Sequence, residues 1–274
     1  VYAAQKLLET LCGQDPYGVP KMGTRQEVEA ITPQELLRHY EALRRESPVE
    51  VYYVGSADPG RVADLVRKMF AREVRQPREM PGQTDLTPGV RQDRREAMEV
   101  AQGKLCMGFL TPITNRDDRF AAMQVTNGIL GGDVTSKLFQ NVREKQSLCY
   151  SIGSGYYAAK GIVLVSAGID FDKEDHVRRE VLSQLEGCQL GQITDEELAA
   201  SKQSLLTALR SVQDSPSAME NYYSAITMAQ TGRSWETHMD LLAKVTKEDV
   251  VACAKTLELH STYFLEGGDI CAAL

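Results

Sequence analysis

Arg143 and Tyr150 stand seven positions apart, the arginine near the end of one predicted helix and the tyrosine at the start of the following predicted strand. A guanidinium stays charged at every relevant pH and hydrogen-bonds peptide carbonyls or carboxylates. A phenol is a neutral donor that can stabilise a developing oxyanion without losing its proton. On spacing alone the structural reading of the same two residues is the favoured one. Arg143 can close the last carbonyls of its helix, and Tyr150 can fill the core face of a hairpin.

Other chemistry finds little support. The four histidines, His39, His176, His238 and His260, include no i, i+4 pair and no His-x-x-Glu-His frame, so the chain is expected to hold no catalytic zinc. His176 with Glu180 makes two ligands where three are needed. Cys149, beside Tyr150, reads as a buried structural thiol because no histidine lies near it in sequence. Gly131-Gly132 reads as a helix stop and turn, with no phosphate-loop pattern after it. Asp195-Glu196-Glu197 is helix N-terminal charge, favourable with the macrodipole.

These residues need a scaffold. At 274 residues, 42% hydrophobic and 25% charged, the chain is long enough to bury a sizeable core in one or two domains. A net charge of -7 argues against nucleic acid. No apolar run approaches the ~18 residues of a membrane span and no signal-peptide pattern opens the chain, so a cytoplasmic location is expected. Six cysteines without Cys-x-x-Cys spacing suggest reduced thiols.

Periodicity predicts one strand from about Arg95 to Leu110 and an amphipathic helix over Arg116–Leu130. A second helix over Thr135–Lys145 follows, then a hairpin of Tyr150–Tyr157 and Gly161–Ile169 joined at Ala158–Lys160. Helices follow over Glu174–Gly187, from the Thr194 cap to Val212, over Ser217–Gln230 and over Trp235–Leu242. Strands first and helices grouped afterwards indicate an α+β fold with helices on one face of a mostly antiparallel sheet.

The chain ends in a pattern used once before. Thr32 caps a helix to about Arg45, followed by an apolar strand Val49–Val54. Thr246 caps another to about Leu259, followed by a strand Thr262–Leu265. Glu35 completes a capping box, and Asp249 makes a shorter and poorer one. The caps lie 214 positions apart, at 32 and 246, which sets the repeat length. We therefore expect residues 1–75 to end a first half, 76–94 to be a Pro- and Gly-bearing linker, and 95–274 to form a complete second half. The first residue is Val1, so the chain is expected to begin inside a longer protein, with the missing part of the first half in roughly a hundred preceding residues.

The stretch from Gly131 to Tyr150, Gly-Gly-Asp-Val-Thr-Ser-Lys-Leu-Phe-Gln-Asn-Val-Arg-Glu-Lys-Gln-Ser-Leu-Cys-Tyr, resembles the Arg/Tyr segment of the M16 (pitrilysin, insulinase and mitochondrial processing peptidase) zinc metallopeptidases. Asp15-Pro16-Tyr17-Gly18-x-Pro20 with Gly23 is similar to a shorter first-half loop of that family, so the resemblance spans nearly the whole chain. A small residue is usual in the family where Cys149 stands. The resemblance implies two α+β halves enclosing a chamber. Arg143 and Tyr150 would serve catalysis and substrate binding from one wall, clamping unfolded peptide opposite zinc and a glutamate base in the missing half or in a partner. It also implies a peptide substrate held as an added strand, a zinc-bearing half or paralogous subunit as partner, and a possible homodimer, with this chain alone inactive. The alternatives are a non-catalytic subunit beside an active paralogue and a scaffold subunit of a larger complex. The retained Arg/Tyr pair argues against the scaffold.

Overall fold

The computed structural model describes residues 1–71, 74–79 and 83–268; Pro81 and Gly82 of the expected linker, and Cys271, lie outside them. In chain order the elements are α1 (Tyr2–Cys12), α2 (Arg25–Ala30), α3 (Pro33–Glu46), α4 (Pro59–Phe70), β1 (Asp93–Met98), β2 (Gly103–Leu110) and α5 (Phe120–Asn127). Two π-helical segments, Gly128–Gly132 and Leu138–Lys145, lead to β3 (Ser151–Tyr157) and β4 (Ile162–Ile169). Helices α6 (Glu174–Gln189), α7 (Asp195–Ser211), α8 (Pro216–Ala229), α9 (Trp235–Lys244) and α10 (Lys247–Ala254) precede β5 (Glu258–Gly267). The chain divides into two compact units, one of Val1–Val19, Asp85–Leu209 and Thr231–Leu274, the other of Pro20–Thr84 and Arg210–Gln230.

The larger unit is built on a sheet in the order β1-β5-β2-β4-β3, parallel between β1 and β5 and antiparallel elsewhere. The expected single strand from about Arg95 to Leu110 is in fact two. It breaks at 99–102, and its halves flank β5 instead of running on. Neighbouring strands lie about 4.8 Å apart, so a four-residue turn is enough to step across the end of one intervening strand. Nothing local to residues 95–110 announces the break, because the strand that causes it arrives some 150 residues later.

Alternation along β2 sends Leu105, Met107 and Phe109 to one face of the sheet and Cys106 to the other; all four are 1% exposed or less. The first face carries the helical layer, in which α10 packs against α5 and α6, and α5 against α9. The second face carries α1, whose Ala3, Leu7, Leu11 and Cys12 cluster with Cys106, Ile162, Leu164, Tyr263 and Leu265. Gly108 makes that approach possible: a Cβ there would lie 2.6 Å from Leu11 Cδ1. At α10 the capping box is complete. Thr246 N–H donates to Asp249 Oδ2 at 2.9 Å and Asp249 N–H to Thr246 Oγ1 at 3.2 Å, so the aspartate is long enough after all.

In the smaller unit, Thr32 and Glu35 cap α3 as expected, with Pro33 in its first turn. Its Leu36, Leu37, Tyr40 and Leu43 recur at helical spacing, yet each is more than half exposed. The expected strand Val49–Val54 joins no ladder, and Val49, Val51, Tyr53 and Val54 are exposed. A strand needs a partner for its N–H and C=O groups. β5, its counterpart in the repeat, is paired on both sides, by β1 and β2. Residues 49–54 have no such partner among the described residues.

Candidate peptide-binding cleft

The helical segment Leu138–Lys145 ends in a turn that sets the direction of β3. Ser147 takes a left-handed conformation, φ 51°, which non-glycine residues adopt at a cost of about 1–2 kcal/mol. Its N–H donates to the Arg143 carbonyl at 3.1 Å, and the Leu148 N–H donates to that of Val142 at 3.1 Å, so the last turn is closed by backbone. Leu148 is buried and anchors the chain as it reverses. Tyr150 then enters the sheet, its N–H donating to the Gly168 carbonyl at 2.8 Å.

That closure leaves the Arg143 side chain free of the capping role open to it on spacing alone. Its guanidinium lies over the Phe139 ring, 4.5 Å from the centroid, with Glu144 at 3.5 Å. Stacking on an aromatic face restrains the side chain while leaving its N–H edges available. Tyr150 does not fill a core face either, being 60% exposed. Both residues line one cleft of about 410 Å³ with Glu144, Ser147, Leu148, Cys149, Asp170 and Lys173.

The phenol already has a partner. Tyr150 Oη donates to Asp170 Oδ1 at 2.6 Å, and Asp170 Oδ2 pairs with Lys173 Nζ at 2.7 Å. That hydrogen bond to the carboxylate, with its negative charge, pushes the Tyr150 pKa up. Bonds from Lys173 and then Tyr150 hold the Asp170 carboxyl below its ordinary range, and the Asp170 carboxylate raises Lys173 in turn. Tyr150 is thus kept protonated at neutral pH. Asp170 and Lys173 were not expected from sequence, though the hairpin contains the clue. Its register pairs Ser151 with Gly168, so the residue before β3 must meet those just after β4.

Burial pushes the Cys149 thiol up to about 11, which removes it as a nucleophile at neutral pH. Gly131 packs against β3, where a Cβ would lie 2.7 Å from Ser154 Oγ, so the Gly pair serves packing. The histidines do not assemble a metal site. His39, His176, His238 and His260 lie on four different elements, and among the described residues no group of three or more His, Cys, Asp or Glu could hold an ion. A catalytic zinc does not fit the residues described.

The family described as the peptidase M16 inactive domain matches residues 30–205. The chain belongs to the peptidase M16 family. The model that matches is that of the family's C-terminal domain, which its description calls inactive. It is 28% identical over 280 residues to "Probable inactive metalloprotease YmfF" of Bacillus subtilis, covering 97% of this chain and 62% of that protein. It is 31% identical over 265 residues to an uncharacterized zinc protease of Mycobacterium bovis, covering 93% of this chain and 59% of the relative. A conserved protein from Enterococcus faecalis superposes with a TM-score of 0.87 at 30% identity, over 97% of this chain and 63% of its own. The M16 chain thus spans about three fifths of the length of these relatives. Its α+β architecture, with the helical layer on one face of a mostly antiparallel sheet, is that of the family. Among the described residues no helix is long and apolar enough to cross a membrane.

Proposed function

We propose that this M16 chain is the substrate-holding, non-zinc part of its protein, gripping unfolded peptide with Arg143 and Tyr150. The observation that carries the reading is that both side chains reach one open cleft while neither is consumed by the structural role its spacing would also allow. Arg143, held over Phe139, offers charged N–H donors to a peptide carbonyl. Tyr150 exchanges its bond to Asp170 for one to the peptide, and Lys173 remains to neutralise the released carboxylate. Exchanging one hydrogen bond for another changes little net energy, so Arg143 sets most of the affinity.

In this reading zinc is supplied by another half of the parent or by a paralogous subunit. We also propose the division into a first half ending near residue 75, a linker over 76–94 and a second half from 95. The exposed apolar positions of α3 and the unpaired Val49–Val54 are what a sheet equivalent to β1–β5 would cover in the first half. The unpaired thiols of Cys12, Cys106, Cys149, Cys188 and Cys253 suit a cytoplasmic setting. A second reading, a non-catalytic subunit beside an active paralogue, is favoured by the inactive designation of the Bacillus relative.

The test is fluorescence anisotropy of a labelled, unstructured peptide. Arg143→Ala should weaken binding by roughly 10- to 100-fold, the usual worth of a hydrogen bond to a charged group. Equal affinity in wild type and variant would refute the role given to Arg143.

A further inference from the structure

β3 is the edge strand of the sheet, and its sequence Ser-Ile-Gly-Ser-Gly-Tyr-Tyr sets two glycines two residues apart. Gly153 pairs with Ser166 and Gly155 with Leu164, and residues directly opposite in a ladder share a face. Leu164 belongs to the cluster around α1, so both glycines open on that face. Glycine is disfavoured inside a strand, where it costs backbone entropy and packs nothing. The backbone does not require it here, since neither residue has a positive φ. Close packing accounts for Gly153 in part, a Cβ there lying 3.2 Å from the Gly131 carbonyl oxygen. It does not account for Gly155, whose Cβ would meet nothing nearer than the Tyr157 ring at 3.7 Å, an ordinary contact. The space above Gly155 is vacant.

Both glycines line a groove of about 530 Å³, whose apolar members include Ala4, Val134, Phe139, Tyr157 and Leu164. Three of its polar members already have partners. Ser166 Oγ accepts from the Cys106 thiol at 3.7 Å, and Ser154 Oγ donates to Asn127 Oδ1 at 2.8 Å. Asp133 Oδ1 accepts the Thr135 N–H at 2.8 Å and its hydroxyl at 2.6 Å. Asp133 is the one charge among the described residues lining the groove, so an acidic occupant would meet repulsion and no cation. Glycine inside a strand marks a place where a ligand or another chain comes close. A floor of bare peptide groups between apolar walls suits a large, flat, uncharged ring.

We propose that the groove over Gly153 and Gly155 is a subsite for one large apolar side chain, aromatic by preference, of the peptide held at Arg143. That the side chain belongs to a peptide rests on the reading of Arg143 and Tyr150, while recognition of the ring stands on the groove alone. Groove and cleft are continuous through shared residues. Phe139, whose ring carries the Arg143 guanidinium, also lines the groove, and Ser151, which lines it too, follows Tyr150. A peptide gripped at Arg143 can therefore set a neighbouring side chain over Gly155.

The test is NMR of the 274-residue chain titrated with N-acetyl-phenylalaninamide, with N-acetyl-alaninamide as the control that lacks the ring. We expect saturable shifts of the Gly153 and Gly155 N–H groups with the phenylalanine amide alone, and their loss in Gly155→Val, whose side chain plugs the groove. No saturable shift, equal shifts with both amides, or undiminished binding to Gly155→Val would overturn the proposal. Gly155→Ala places one methyl in the vacant space, so its urea midpoint should equal or exceed that of wild type; a lower midpoint would mean the space is filled. In the peptide assay, a peptide bearing phenylalanine should bind about tenfold or more tightly than its alanine counterpart. Gly155→Val should abolish that preference, and Arg143→Ala should weaken both peptides alike. A preference that survives Gly155→Val would overturn the subsite. Ring binding that persists while Arg143→Ala changes no peptide's affinity would uphold the subsite and refute the role given to Arg143.

Discussion

Lys160, in the turn between β3 and β4, reaches Asp15 just beyond α1, with Nζ to Oδ2 at 2.8 Å and side chains only 7% and 8% exposed. This pair fastens the Asp-Pro-Tyr-Gly loop to the hairpin that carries Tyr150. Asp15 Oδ1 also accepts the Tyr17 N–H at 2.9 Å, so the carboxylate keeps one donor if the lysine is lost. Lys160→Met leaves a buried charge with that single donor, and breaking such a pair costs about 3–5 kcal/mol. Trp235 is the only tryptophan of the chain and lies in the same unit, its Nε1 donating to the Leu209 carbonyl at 2.8 Å. Its fluorescence in urea therefore follows this unit, and a denaturant slope of about 1–3 kcal/mol/M converts the loss to a midpoint lower by roughly 1–5 M. Adding Asp15→Asn to Lys160→Met removes the stranded charge and should restore part of that loss. The pH dependence follows from the sign of the shift. Burial alone would raise the Asp15 carboxyl, but the bonds from Lys160 and from the Tyr17 N–H hold it below its ordinary value. Its contribution is complete above the unfolded value of about 3.9 and is lost as pH falls through the folded one. Without Lys160, burial dominates and the carboxyl titrates high, so wild type and Lys160→Met should converge in acid. A Lys160→Met midpoint equal to wild type at pH 7, or a double variant weaker than the single, would refute the account of a buried, mutually dependent pair.

Three further outcomes are expected. His238 is buried, packs on Phe120 and bonds Gln124, and burial followed by the charge of Arg233 lowers its pKa to about 4. The unfolded chain binds that proton first, so stability should fall by about 3 kcal/mol as pH drops from about 6.5 toward 4. Urea midpoints across that window should show a slope that His238→Gln flattens; an unchanged slope would assign it to other groups. Ultraviolet titration should find the Tyr150 phenol ionising above the ordinary range and returning toward it in Asp170→Asn, whereas identical titrations would dissociate the phenol from that carboxylate. Cys149, with its thiol near 11, should alkylate at pH 8 roughly 10²-fold more slowly than a free cysteine, as peptide mapping would show; rapid modification would mean the thiol is not desolvated.

What the sequence disclosed was local. Thr32 with Glu35 and Thr246 with Asp249 name their helix starts because a cap is written in four consecutive residues. The hairpin at Ala158–Lys160 is equally legible, since alternation stops and resumes around it. The split between β1 and β2 was not, because β5 comes from far along the chain to fill the slot between them. Val49–Val54 has the composition of a strand and no ladder, for composition records a preference and a ladder needs a second strand. At the cleft, Arg143 and Tyr150 stood out through their segment's resemblance to M16 proteases. Asp170 sits in an unremarked Asp-Phe-Asp-Lys run, and only the hairpin register brings it to the phenol.

The most direct measurement of the central claim is photocrosslinking of an unstructured peptide carrying benzophenone to this M16 chain, with the adducts mapped by mass spectrometry. The account predicts adducts concentrated on Phe139, Arg143–Tyr150 and Asp170, and their loss in Arg143→Ala. Adducts confined to other surfaces, or a pattern indifferent to Arg143, would contradict it.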